Sequence, residues 1–149
     1  MRQAEQRSQP ILRLPRDQTP AVLTMGGERA HVMLFVPPGG SIADVLDGSE
    51  AFLPVSFSSG TRLVARAAIA CVTVRELLQP EPDLPIECQA AIVRLRGGIA
   101  VEGELRWVAP PGRRRTLDHL NDGSPYLIVH RSDETSYVAK AHVIDVEEA

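Results

Sequence analysis

The sequence predicts an all-β protein with short helical turns, organised as two tandem small β-barrel units related by internal duplication; the alternative is one larger barrel or sandwich formed from both halves. Residues 41–74 laid on residues 115–148 without a gap are identical at 10 of 34 positions, among them Asp44/Asp118, Leu53/Leu127, Val55/Val129, Thr61/Thr135, Val64/Val138 and Val72/Val146. The matches include turn residues as well as apolar ones, so shared hydrophobic patterning does not account for them, and self-similarity at a fixed spacing marks a repeated structural unit. Apolar residues also alternate over short runs bounded by Gly, Pro, Ser and Asp, the pattern of half-buried strands joined by tight turns. No long amphipathic helix interrupts these runs, and many short strands of this kind close into barrels or sandwiches.

Residues 1–20 carry Pro10, Pro15 and Pro20 and are expected to be flexible, with Ile11-Leu12-Arg13-Leu14 as a candidate edge strand. Repeat unit A spans 21–74, a Pro- and acid-rich linker spans 75–90 with Pro80, Pro82 and Pro85, and repeat unit B spans 91–149. Such a linker is expected to be extended. A unit of ~55 residues buries too little surface to be robust alone, so the two are expected to pack together.

Within unit B, Ala91–Arg96 and Ile99–Val108 read as two strands joined at Gly97-Gly98, since paired glycines accept the positive φ of hairpin turns. Alternation sets Val93, Leu95, Leu105 and Trp107 inward and Arg94, Arg96, Glu102, Glu104 and Arg106 outward, where opposite charges can pair across strands. Pro110-Pro111-Gly112 ends the second strand, as Pro37-Pro38-Gly39 does in unit A, because proline cannot donate to a ladder. A short helical turn follows. Ser41 is its N-cap in unit A, with Asp44 three residues on and Gly48 as its stop; Leu117 and Leu120 are the apolar pair in unit B. Phe52–Val55 and Tyr126–Val129 are the next strands. Polar turns at Ser58–Thr61 and Ser132–Thr135 then lead to final strands, Leu63–Val74 and Tyr137–Val146, each long enough to bend into a fifth. Trp107, Tyr126 and Phe52 are assigned to the core.

A hydrophobic fraction of 44% and a charged fraction of 23% are those of an ordinary globular protein. The net charge of −3 is spread without a basic domain, and Lys140 is the only lysine, which counts against electrostatically driven nucleic-acid binding by either unit. No apolar run approaches the ~20 residues of a membrane helix, and Met1–Pro10 is polar, unlike a secretory signal. No membrane association and a cytoplasmic location are therefore expected. Cys71 and Cys88 occupy unrelated positions of the repeat, which argues against a disulfide framework.

The run Gly98–Leu105, with Leu117–Asn121, Tyr126–Val129 and Val138–Val146, resembles an uncharacterised bacterial family of unknown function with a duplicated small-barrel unit. Its signature is a G-x-x-V-x-G-x-L strand, a P-x-G turn, an L-x-D-x-L-N helical turn and a closing [VI]-x-[KR]-x-x-[IV]-x-x-[VI] strand. More distantly the chain is similar to Sm-like barrels, so that each unit is expected to be Sm/SH3-like. That second resemblance implies RNA-contact positions at Asp118, Asn121 and Lys140, with Asp44, Asp47 and Arg66 in unit A. Ala67 and Ala141 stand where Sm-like barrels carry glycine.

Arg113-Arg114-Arg115 is the sharpest charged cluster, a candidate surface for phosphate or for a partner's carboxylates. Asp44 and Asp118 read as caps of backbone N–H groups rather than as catalytic acids. His119, His130 and His142 lack the spacing of a zinc site, and no nucleophile elbow, P-loop or dinucleotide-binding glycine motif is present. The expectation is a non-enzymatic protein-interaction or assembly module without cofactor, metal or catalytic residues. Its partner would be another protein or a second copy. Sm-like RNA or single-stranded nucleic-acid binding is the alternative, disfavoured by the 4% aromatic content.

Overall fold

The structure is a computed structural model that describes residues 17–76, 84–112 and 115–149. The candidate strand at Ile11–Leu14 and residues 77–83 of the proline-rich linker lie outside the described residues. The chain is mostly β. Strands β1 (Asp17–Met25), β2 (Glu28–Val36), β3 (Phe52–Phe57), β4 (Gly60–Ala65) and β5 (Cys71–Arg75) are followed by β6 (Glu87–Leu95), β7 (Ala100–Trp107), β8 (Tyr126–Arg131), β9 (Glu134–Ala139) and β10 (Val143–Glu148). The short helices α1 (Ile42–Leu46) and α2 (Thr116–Leu120) follow the second strand of each half, and 3-10 turns at Arg66–Ala68 and Lys140–His142 precede the fifth. The same order of elements thus occurs twice. The first strand begins at Asp17 and the sixth at Glu87, each four residues before the start expected for its unit.

All ten strands lie in one open antiparallel sheet, in the order β10-β6-β7-β8-β9-β5-β1-β2-β3-β4. Each half contributes a run in which its fifth strand turns back beside its first, β1 on β5 and β6 on β10. The bend lies in the 3-10 turn, where Ile69 N–H donates to Arg66 O and Ala70 N–H reaches Thr24 O. The two runs join where β5 pairs with β9, from Cys71↔Val138 to Arg75↔Glu134.

That ladder divides two hydrophobic clusters. Leu23, Leu34, Ile42, Leu46, Val55, Val64, Ile69, Val72, Val74 and Tyr137 form the first, and Ala70, Cys71, Val93, Leu95, Leu105, Leu127, Val129 and Val138 the second. Successive strand side chains point to opposite faces, so Val72 and Tyr137 enter one cluster while Cys71 and Val138 enter the other. Each half therefore contributes side chains to the core of its neighbour. Tyr137 Oη donates to Glu76 Oε1 at 2.6 Å, and Thr135 Oγ1 donates to Glu76 O at 2.7 Å. Burial and the Glu76 carboxylate push the Tyr137 phenol well above its usual range. At the ladder's centre the Thr73 and Ser136 hydroxyls lie 2.7 Å apart.

Two glycines fit close backbone approaches. A Cβ at Gly103 would fall 2.5 Å from His130 O and 2.7 Å from Val129 Cγ1, so glycine there lets β7 reach β8, with which it pairs at Glu104↔His130. Gly97, at φ +94, sits at the β6–β7 turn with its backbone against Gly27 in the β1–β2 turn, so the two hairpin tips touch. Phe52 departs from the expected core: it is 58% exposed, because Leu53 and Val55 take the inward positions of β3 and alternation turns Phe52 out. Trp107 and Tyr126 are half-buried and pack against the clusters.

Tyr137 links both halves, so Tyr137→Ala is expected to cost about 3–5 kcal/mol and Tyr137→Phe only about 1 kcal/mol. Urea unfolding followed by circular dichroism reads both, as one cooperative transition. Separate transitions for the two halves would contradict a shared core.

Candidate functional sites

The short helices are held at both ends by groups that the sequence marked for function. In α1, Ser41 N–H donates to Asp44 Oδ2 at 2.8 Å and Asp44 N–H to Ser41 Oγ at 3.3 Å, a reciprocal cap. At α2, Arg115 N–H and Arg115 Nε both donate to Asp118 Oδ2 at 3.3 Å, so Asp118 caps the helix start while pairing with a guanidinium. At the other end Lys140 Nζ donates to Leu120 O at 2.8 Å and to Asp122 Oδ1 at 2.9 Å. Arg66 does the same for α1, donating to Val45 O at 2.8 Å and Leu46 O at 3.0 Å. A cation at a helix C-terminus satisfies the last carbonyls and complements the helix dipole. Asn121 is the C-cap of α2, its N–H directed to Leu117 O. Asp118, Asn121 and Lys140 thus come together around α2, in contacts that hold the helix. Arg113 and Arg114 lie outside the described residues.

Beside α2, the Trp107 and His119 rings stack with centroids 4.7 Å apart and planes 5° from parallel. Trp107 Nε1 is buried without a hydrogen-bond partner among the described residues. A recess opens here among Arg106, Trp107, Pro110, His119 and Asn121. Burial lowers the His119 pKa; Asp122, whose Oδ2 lies 3.6 Å from Nδ1, opposes this, and Lys140 adds to it. Burial also lowers His130, helped by Arg106 and opposed by Glu104. No group of three or more His, Cys, Asp or Glu side chains among the described residues is placed to hold a metal ion.

Two arginines of the outer face, Arg94 and Arg106, are paired with carboxylates. Arg94 binds Asp145 at 3.0 Å and Glu147 at 2.6 Å, and Arg106 binds Glu104 at 2.6 Å. They form a mixed-charge surface rather than a positive groove. No helix among the described residues is long and apolar enough to cross a membrane.

The sequence reading did not single out the two ends of the sheet. Strands β4 and β10 are its edges, each paired on one side among the described residues. Both expose large apolar side chains, Leu63 on β4 at 73% and Ile144 on β10 at 62%. Their counterparts in the other half, Tyr137 and Ala70, are both 4% exposed, because the β5–β9 ladder covers them. The signal is present in the repeat itself. Residues 69–74 read Ile-Ala-Cys-Val-Thr-Val, apolar on both faces as a fully buried strand must be, whereas the aligned residues 143–148 read Val-Ile-Asp-Val-Glu-Glu.

No protein-family model, curated protein or solved structure matches this chain. The family resemblances noted in the sequence therefore remain expectations.

Because the folded pKa values of His119 and His130 lie below the unfolded value of about 6.5, the unfolded chain binds more protons as the pH falls through that value, and stability declines. Chemical denaturation from about pH 7.5 to about pH 5 is expected to show this loss, and His119→Phe, which keeps a stacking ring, is expected to shrink it. An unchanged slope in the variant would mean that His119 titrates alike in both states.

Proposed function

We propose that this chain is a non-enzymatic assembly module, built of two small barrel-like units, that engages a protein by pairing a strand with an open edge of its sheet. The observation that supports this reading is the contrast at equivalent positions: Tyr137 is buried under a partner strand, while Leu63 on the edge strand β4 is 73% exposed. An exposed edge offers a row of backbone donors and acceptors. In strand addition this row supplies affinity, while alternate side chains supply specificity. Covering Leu63 would add about 1.5–3 kcal/mol if its side chain became fully buried. The nucleic-acid alternative has less support. Arg94, Arg106 and Arg115 are paired with carboxylates, Lys140 is committed to the end of α2, and Trp107 has one face against His119.

The test is recovery of partners by tagged protein from nuclease-treated lysate of its host. The baits are the natural sequence, Leu63→Lys, Ile144→Lys, and a variant with Arg113, Arg114 and Arg115 all changed to alanine. Protein recovered with the natural chain and the alanine variant, but reduced several-fold by either edge lysine, is the expected result. Recovery that disappears with nuclease and with the arginine-to-alanine variant would replace this reading with nucleic-acid binding.

A further inference from the structure

We infer that the partner at these edges is a second copy of the chain, added head to tail with β10 of one copy against β4 of the next, repeating between molecules the β5–β9 junction found within one. The inference rests on the edge-pairing reading above and assigns its partner, polarity and register.

The internal junction is a heterologous contact: the fifth strand of one half pairs with the fourth strand of the other. Such a contact leaves one fourth strand and one fifth strand without their counterparts, and these are β4 and β10, the two ends of the sheet. Surfaces that join head to tail within a chain can do so again between chains, giving rings where the rotation closes and filaments where it does not.

The repeat spacing fixes the register. Moving the β5–β9 pairs by the 74-residue offset places Asp145 opposite Val64, Val146 opposite Leu63, Glu147 opposite Arg62, Glu148 opposite Thr61 and Ala149 opposite Gly60. Val146 then covers Leu63 as Val72 covers Tyr137. Glu147 faces Arg62 where the Thr73 and Ser136 hydroxyls meet at 2.7 Å. Glu147, which already accepts from Arg94 Nη2 at 2.6 Å, becomes shared between two guanidinium groups. Ile144 O takes the place of Ala70 O, which accepts from Ala139 N–H at 2.9 Å, with Ala65 N–H as its donor.

Charge selects this polarity over pairing of like edges. β10 carries Asp145, Glu147 and Glu148, whereas β4 carries Arg62 and no acid. Two β10 edges side by side would bring like charges together, which is unfavourable across strands; β10 on β4 joins opposite ones.

Leu63→Pro removes an N–H that points outward from β4, since Pro54, opposite it on β3, cannot donate back. Glu148→Pro does the same on β10, where Ala149 N–H, one residue on, turns inward to Ala90 O. The full-length natural chain, each variant and their equimolar mixture are compared by light scattering after size exclusion and by native mass spectrometry. The natural chain is expected to form concentration-dependent multimers, each variant alone to be a monomer, and the mixture to stop at a dimer of one copy of each, because it retains one complementary pair of edges. Leu63→Lys and Ile144→Lys repeat the comparison without proline, and circular dichroism confirms folding. A variant that still dimerises alone overturns the head-to-tail polarity. A natural chain that stays monomeric at every concentration overturns self-assembly altogether. If that monomer still captures a different protein in a Leu63-dependent way, the edge-pairing function survives and only its partner changes. Register is read by Arg62→Glu and Glu147→Arg, each expected to weaken association several-fold and to restore it when combined in one chain; absence of restoration overturns the assigned register.

Discussion

The structure depends on the ladder between β5 and β9. It is the junction at which two runs of strands become one sheet, and its alternate side chains supply both hydrophobic clusters, Val72 and Tyr137 on one side and Cys71 and Val138 on the other. A strand buried on both faces must be apolar on both, and its remaining polar groups must find partners within the junction. The Thr73–Ser136 hydroxyl pair and the bonds from Thr135 and Tyr137 to Glu76 meet that requirement. The Cys71 thiol, in the same ladder, is held above its usual range by burial, against weaker opposing effects of Thr73, Ser136 and Arg29. Through this ladder each half supplies side chains to both hydrophobic clusters.

Around the junction, local features repeat with small changes of chemistry. Arg66 and Lys140 perform the same task at the ends of α1 and α2, one through a forked guanidinium and the other through a single ammonium. Asp44 and Asp118 both cap helix starts, but Asp118 also takes the Arg115 guanidinium, since Arg115 stands where α1 has Ser41. The positions that an Sm-like comparison would assign to RNA are thus occupied in holding short helices against the sheet. A five-residue helix has too few internal hydrogen bonds to persist without such contacts.

Much of this architecture was legible in the sequence. The all-β character, the hairpin at Gly97-Gly98, the two helical turns and the bend before the fifth strand follow from alternation, turn chemistry and the internal self-match. The inward assignments of Val93, Leu95 and Leu105 hold because period-2 alternation is a local property. What escaped was the choice of partner strand. Whether a fifth strand ends beside a fourth strand of its own half or of the other half depends on sheet curvature and on the connection between halves, neither of which is local. Phe52 was misplaced for a related reason: its size argued for the core, but the phase of β3 is set by Leu53 and Val55. The functional sites were less legible still, because the charged residues that attracted attention are engaged in caps and pairs, whereas Leu63 reads as an ordinary strand leucine until its neighbours are known.

The ring contact beside α2 has an optical side. Trp107 is the chain's single tryptophan and lies in the second half, stacked on His119. Indole emission from this molecule therefore originates at one point, a few ångströms from an imidazole whose proton alters the surroundings of the ring. The first half carries no indole, so any change in that emission on its unfolding has to be transmitted through the strands it shares with its neighbour.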